Sequence, residues 1–373
     1  MAAHRRMAVV VAVAVVAALV GLVAWWPRGD SNIDRDALGF ADRVDATVTA
    51  ASDGPCSYDP EAECHVVELR VTSGDEAGTP ARIETERATR TPAASLATGD
   101  EVVLNDAGDD VPAEARYAFA DVRRTGPLLI LAGVFALAVV ALGRARGLLA
   151  LAGIVLTFVV LLAFVFPALL HGSSPVGVAL TGATLIAVGT LYLAHGVNPR
   201  TTVALLGTLA SLLLTAALAA VFAGAARLSG LASEESLSLL TFAPDLDFRG
   251  LLLAAIIVGA LGVLDDVTVT QVSAVAELRR SDPSAGFAGL FRSGTRIGRD
   301  HIASTVNTLI LAYSAAALPL LLIFTQSGLG LGDVLTSEVV AVEVVQTLVG
   351  SIGLVAAVPL TTALAAWAVT RTD

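Results

Sequence analysis

The chain has 373 residues, of which 55% are hydrophobic and only 15% charged. Soluble domains carry about 25% charged residues, so this composition excludes an ordinary soluble enzyme and a disordered chain alike. The net charge of −11 argues against nucleic acid as a partner, because nucleic-acid surfaces are basic. All 23 basic residues are Arg, a pattern of GC-rich coding rather than of function.

The first element is the apolar run Met7–Trp26, preceded by His4-Arg5-Arg6. A bilayer-crossing helix needs about 20 apolar residues. A signal peptide would have a shorter apolar core and a small-residue cleavage site. This run instead ends in Trp25-Trp26-Pro27, which suits an interface and favours an uncleaved anchor over residues 1–26.

Residues 27–126 hold 10 Arg and 21 Asp/Glu, and so carry the whole net charge of −11; the rest of the chain sums to zero. Strand alternation is read at Arg43–Thr49, His65–Val71, Arg82–Glu86, Glu101–Leu104 and Tyr117–Val122, separated by Gly, Pro and Asp clusters. Five short strands predict a small barrel of the oligonucleotide/oligosaccharide-binding shape, although an acidic surface is a poor nucleic-acid site. Cys56 and Cys64 are the only cysteines. In an oxidising compartment they are expected to form a disulfide. The rival readings are free thiols, or a metal or redox site with His65.

Beyond residue 126 the apolar runs resume, at about Pro127–Leu142, Gly147–Leu170, Val176–Ala194, Thr201–Ala225, Gly250–Glu277, Ile302–Phe324 and Val339–Val369. With the anchor they make about eight spans. Arg144, Arg146, Arg200, Arg279, Arg280, Arg292, Arg296, Arg299 and Arg371 fall at alternate ends. By the positive-inside rule both termini are cytoplasmic and residues 27–126 lie outside.

The run from Gly250 contains Asp265 and Asp266 after about fifteen apolar residues, or roughly 22 Å of helix. A charge near the bilayer centre costs at least ~2.5 kcal/mol and usually faces a partner or a cavity. At 100° per residue, Asp266, Thr270, Ser273 and Glu277 share one face, with Asp265 and Thr268 on a stripe beside it. Adjacent carboxylates in a low dielectric do not both ionise easily, which is the chemistry of a proton relay or cation site. Gln271 and, on the following span, Asn307 complete the candidate set. The structural alternatives are helix capping by the Asp pair, a Glu277–Arg280 ion pair, and packing by Asn307. The loop Arg279–Asp300 mixes Phe and Leu with Arg as an interfacial helix would. No nucleophile elbow, HExxH, phosphate loop or dinucleotide fingerprint is present, so no enzyme activity and no cofactor are expected.

The strings Gly262-Val-Leu-Asp265-Asp266-Val-Thr-Val-Thr270-Gln271, Gly298-Arg-Asp300-His301-Ile-Ala-Ser-Thr305-Val-Asn307-Thr308 and Leu348-Val-Gly350-Ser-Ile-Gly353 resemble the YibE/F family of bacterial polytopic membrane proteins, over roughly residues 125–370. That resemblance implies a bacterial cell-membrane protein and carries no activity with it. The Asp-bearing helix followed by a basic loop and Ala-Ser-Thr is also similar, more weakly, to central helices of SecD/SecF and the resistance-nodulation-division permeases. Those helices use intramembrane carboxylates for proton coupling. The acidic pair is offset from their pattern, the spans are more numerous and the outer domain is smaller.

The expected architecture is a mainly α, polytopic helical membrane bundle with a small extracytoplasmic all-β barrel-like domain. The expected divisions are an anchor (1–26), a β domain (27–126) and a seven-span domain (127–373). The functional expectation is a transporter or proton/cation-coupled permease. The alternative is a non-transporting scaffold or sensor whose β domain binds a cation, an envelope component or a protein. The partners expected are the lipid bilayer and a small ion or proton, with a second copy or a membrane protein as a further partner.

Overall fold

A backbone surrounded by hydrocarbon must satisfy its own hydrogen bonds, so long apolar runs fold as helices. The computed structural model describes residues 2–29, 42–57, 59, 61–89, 91–108, 111 and 116–371, without the side chains of residues 2–4 and 42. The His4 side chain of the basic lead and residues 30–41 of the acidic stretch therefore lie outside the described residues.

The chain is mainly helical. In order it forms α1 (Ala2–Ala24), β1 (Asp42–Pro55), β2 (Glu63–Val71), β3 (Pro80–Glu86), β4 (Glu101–Asp106), β5 (Tyr117–Val122), α2 (Thr125–Gly143) and α3 (Ala145–Val160). A π-helical turn, Leu161–Val165, carries α3 into α4 (Phe166–Leu170). Then come α5 (Pro175–His195), α6 (Pro199–Ala225), α7 (Glu234–Phe242), α8 (Phe248–Ser281), α9 (Phe287–Ala316), α10 (Leu318–Gln326), α11 (Leu331–Thr336) and α12 (Glu338–Thr370). Seven helical stretches are long and apolar enough to cross a membrane, or up to eight if α9 and α10 count as one. The run expected at Ile302–Phe324 is the one that breaks, with a bend of 64° between α9 and α10. Pro319, the second residue of α10, has no N–H to continue the α9 ladder. The segment read as an interfacial helix is helical from Phe287 and runs without a break into the following apolar run as one helix, α9. The helices α7 and α11 lie in segments read as outer loops.

Two compact units emerge. One joins residues 1–33 to 139–373, so the N-terminal helix belongs with the later helices; the other spans 34–138 and takes in most of α2. No residue of α2 is buried.

In the helical unit, α5, α6, α8 and α12 surround a core of small and branched residues, including Ala183, Ala187, Leu205, Leu212, Ile257, Leu264, Leu354 and Ala357. Hydrocarbon gives no hydrophobic drive between helices, so close packing of small residues must hold them. Two glycines set the α6–α12 spacing. A Cβ at Gly207 would overlap Thr361 Oγ1, and one at Gly353 would overlap Thr215 Oγ1. Gly294 and Gly298 of α9 do the same against Thr362 and Val358 of α12.

The second unit is a five-stranded antiparallel sheet in the order β3-β2-β1-β4-β5. Alternate residues point to one face, as the period of two requires. Val44, Ala46 and Val48 pack with Val67, Leu69, Val71, Ile83, Val102 and Leu104. A bulge between Val48 and Ala50 helps curl the long β1, which pairs on both sides. The expected barrel is corrected to a curled open sheet. Among the described residues no ladder joins β3 to β5, although the two strands approach one another.

Cys56, just after β1, is bonded to Cys64 of β2, with Cα atoms 4.9 Å apart. The cross-link closes the hairpin loop. Loop entropy assigns such a link about 2–3 kcal/mol. The double variant Cys56→Ser/Cys64→Ser is therefore expected to lose hydrogen-exchange protection in β1 and β2, with the helical unit unchanged. Gly207→Val or Gly353→Val should instead lower the thermal midpoint of the helical unit, since overpacking costs about 1–3 kcal/mol. An unaltered melting curve for both glycine variants would contradict the packing described.

Candidate functional site

Helix α8 runs 34 residues, from an N-cap at Asp247 that accepts the Gly250 N–H to the basic pair Arg279 and Arg280. Asp265 and Asp266 lie at its middle. Neither is a cap, because the helix continues unbroken on both sides.

The two carboxylates diverge, since adjacent helical positions differ by about 100°. Asp265 points into the unit. The Thr190 hydroxyl of α5 donates to its Oδ2 at 3.5 Å, while Oδ1 is buried with no hydrogen-bond partner. The same hydroxyl donates to Ile186 O at 2.9 Å, so its hold on the carboxylate is weak. Asp266 points outward, with 74% of its side chain exposed. Its nearest charged partner is His301 of α9, whose Nε2 stands 3.9 Å from Oδ2.

Below the pair the polar residues are structural. Thr268 Oγ1 donates to Asp265 O at 3.0 Å and lies 2.7 Å from Thr208 Oγ1 of α6, with both threonines fully buried. Gln271, 1% exposed, donates to Gly294 O of α9 at 2.7 Å and to Thr362 Oγ1 of α12 at 2.8 Å. It ties three helices at one level. Glu277 is exposed and pairs with Arg280. Thr270 and Asn307 are exposed. Asn307 lies six residues past His301, about 240° further round α9, and no hydrogen bond joins it to either carboxylate. The structure thus brings Asp265 together with Thr190 and Asp266 with His301, and leaves Asn307 out.

A cavity of about 520 Å³ opens at the turn between α5 and α6, lined by His195, Asn198, Arg200, Thr201 and Ser273 among others. Its α8 wall is Val269 and Val272, four and seven residues after Asp265 and hence on the same helical face. The vestibule therefore starts one turn from the buried carboxylate, across a wall of valines. Thr190 and this cavity escape sequence reasoning because helix pairing across the chain is not periodic. His301 carried a weak signal, as an ionisable residue opening an apolar run.

In the sheet unit, His65 was weighed as a metal or redox ligand with the two cysteines. Both sulfurs are bonded to each other. The His65 ring contacts Asp53 Oδ1 at 2.7 Å and Leu96 O at 2.8 Å, so both its nitrogens are engaged. Arg87 donates to the other Asp53 oxygen. No group of three or more His, Cys, Asp or Glu among the described residues is placed to hold a metal. The hydrogen bond to Asp53, then that to Leu96 O, raises the His65 pKa above its ordinary value. The same contact from His65, then Arg87, lowers Asp53. The signs fix a window. The His65 contribution is complete below the unfolded value of about 6.5 and fades as pH rises through the folded value; that of Asp53 is present above about pH 4 and fades below it. The sheet unit is expected to be most stable between these limits. His65→Ala should flatten the upper slope in a melting series from pH 5 to 9.

The family model described as YibE/F-like protein matches residues 131–371. No curated protein and no solved structure matches the chain.

Proposed function

We propose that this chain, which belongs to the YibE/F-like family, is a proton- or cation-coupled permease working through Asp265 and Asp266. Family and apolar helices together mark it as a multi-pass membrane protein. Coupling is the further step. One observation carries it: a carboxylate at the centre of a 34-residue helix has an oxygen buried without a hydrogen-bond partner. An ionised group left so costs several kcal/mol, and a proton or small cation removes that cost. The vestibule that opens one turn away, with His195, Asn198 and Arg200 in its lining, supports an approach for the exchanging ion. By the positive-inside rule, the Arg residues that cluster at alternate helix ends support a cytoplasmic side for that vestibule and for both termini.

Purified protein in liposomes, with dye-reported proton and sodium uptake under imposed gradients, tests this reading. The wild type is expected to show ion-linked flux. Asp265→Asn is expected to reduce it by at least about tenfold, a loss commonly exceeded when one positioned proton-transfer group is removed. Asp266→Asn should impair it as well. A wild type without proton- or cation-linked flux would overturn the permease and leave the bundle as a scaffold for the sheet unit.

A further inference from the structure

The His301 ring comes close to one acidic group and bonds to none. Its Nε2 is buried and has no hydrogen-bond partner, while 35% of the side chain is exposed. Asp266 Oδ2, at 3.9 Å, is beyond hydrogen-bond range and within ion-pair range. Contacts between α8 and α9 flank the pair on one side. Five residues further along α8, Gln271 is bonded to Gly294 O of α9, and Gly298 is wedged against Gln271 and Val358. These contacts pin the α8–α9 seam within a turn of His301. On the other side, Gly262, one turn before Asp266, has no atom within 4 Å of where a Cβ would stand, while a Cβ at Gly259 would meet Tyr313 of α9 and Gln346 of α12 in ordinary contact at 3.6 and 3.8 Å. The space beside Gly262 leaves Asp266 and His301 room to close by the fraction of an ångström that a hydrogen bond needs.

We propose that His301 is the exchange partner of Asp266, the two groups sharing one proton across the α8–α9 seam; the transport role of that proton rests on the permease reading above. With the proton on Nε2, an imidazolium faces a carboxylate. When it moves, the N–H bond breaks and an O–H bond forms on Oδ2, leaving a neutral imidazole and a neutral carboxylic acid. Net charge is unchanged, so the seam exchanges its proton without charging the apolar body. The other groups able to influence the pair are few. Asp265 adjoins Asp266 on α8 but faces α5. Arg296, Arg299 and Asp300 are exposed on α9 itself. Helix α10 carries no ionisable residue, and α12 carries none between Glu343 and Arg371.

The test uses the full chain in lipid nanodiscs with ring-¹⁵N histidine, the His301 signal being assigned by its loss in His301→Gln. Asp266→Asn is expected to change the His301 ring ¹⁵N shifts, because it removes the only carboxylate among the described residues that stands within 4 Å of Nε2. Asp265→Asn, at a position that faces α5, should change them less. In liposomes, His301→Gln should lose most of the flux and its pH dependence, and the exchanged pair Asp266→His/His301→Asp should recover part of what either single change loses. His301 ring ¹⁵N shifts indifferent to Asp266→Asn overturn the proposal, as does a His301→Gln protein with wild-type flux and pH profile. Changed ring shifts in a protein without flux support the shared proton and overturn the permease instead.

Discussion

Close approach of helices through glycine, alanine and threonine is the constraint on which the helical unit depends. Where Gly207 meets Thr361 and Gly353 meets Thr215, no room exists for another methyl group. Lipid competes equally for large apolar side chains, so this interlocking, together with interhelical hydrogen bonds such as those of Gln271, distinguishes the native helix pairs from others. Thr215 satisfies its hydroxyl within its own helix, donating to Ser211 O at 2.9 Å, whereas the Thr361 hydroxyl is buried against Gly207 without a hydrogen-bond partner.

That interlock also sets the electrostatics at the middle of α8. With α5, α6 and α12 packed against it, one face of α8 is closed and the other stays open. Asp265 falls on the closed side and Asp266 on the open side, so one dipeptide samples two dielectric environments. Gln271 reinforces this division by bonding to α9 and α12 at the same level. Thr270 and Glu277 continue the open face, and Ser273 stands at the rim between it and the vestibule. An ion reaching Asp265 from the α5–α6 vestibule and a proton shared at Asp266 would thus approach from different sides of the same helix.

Much of this was legible in the residues, because it rests on local periodicity. Except at α9, which begins fifteen residues before its apolar run, the apolar runs located the spanning helices to within a few residues, since length and hydropathy are properties of a single segment. Strand alternation located β1 to β5 for the same reason. Barrel closure was not legible: it depends on whether β3 and β5 align, and no pattern within either strand encodes their distance. The break between α9 and α10 carried a signal in Pro319, which the continuous apolar character of the run concealed.

The site divides in the same way. Helical phase alone put Asp266, Thr270, Ser273 and Glu277 on one stripe and Asp265 with Thr268 beside it, because the 100° step is fixed by the backbone. Charge partition likewise assigned the acidity to residues 27–126 and left the helical body neutral. What a stripe faces is another matter. Only the folded bundle turned Asp265 toward Thr190, made Gln271 a clamp, set His301 against Asp266 and left Asn307 apart from both. Those pairings join residues 23 to 91 positions apart. They were decided by which small residues let which helices approach, a property of two surfaces together that neither segment carries alone.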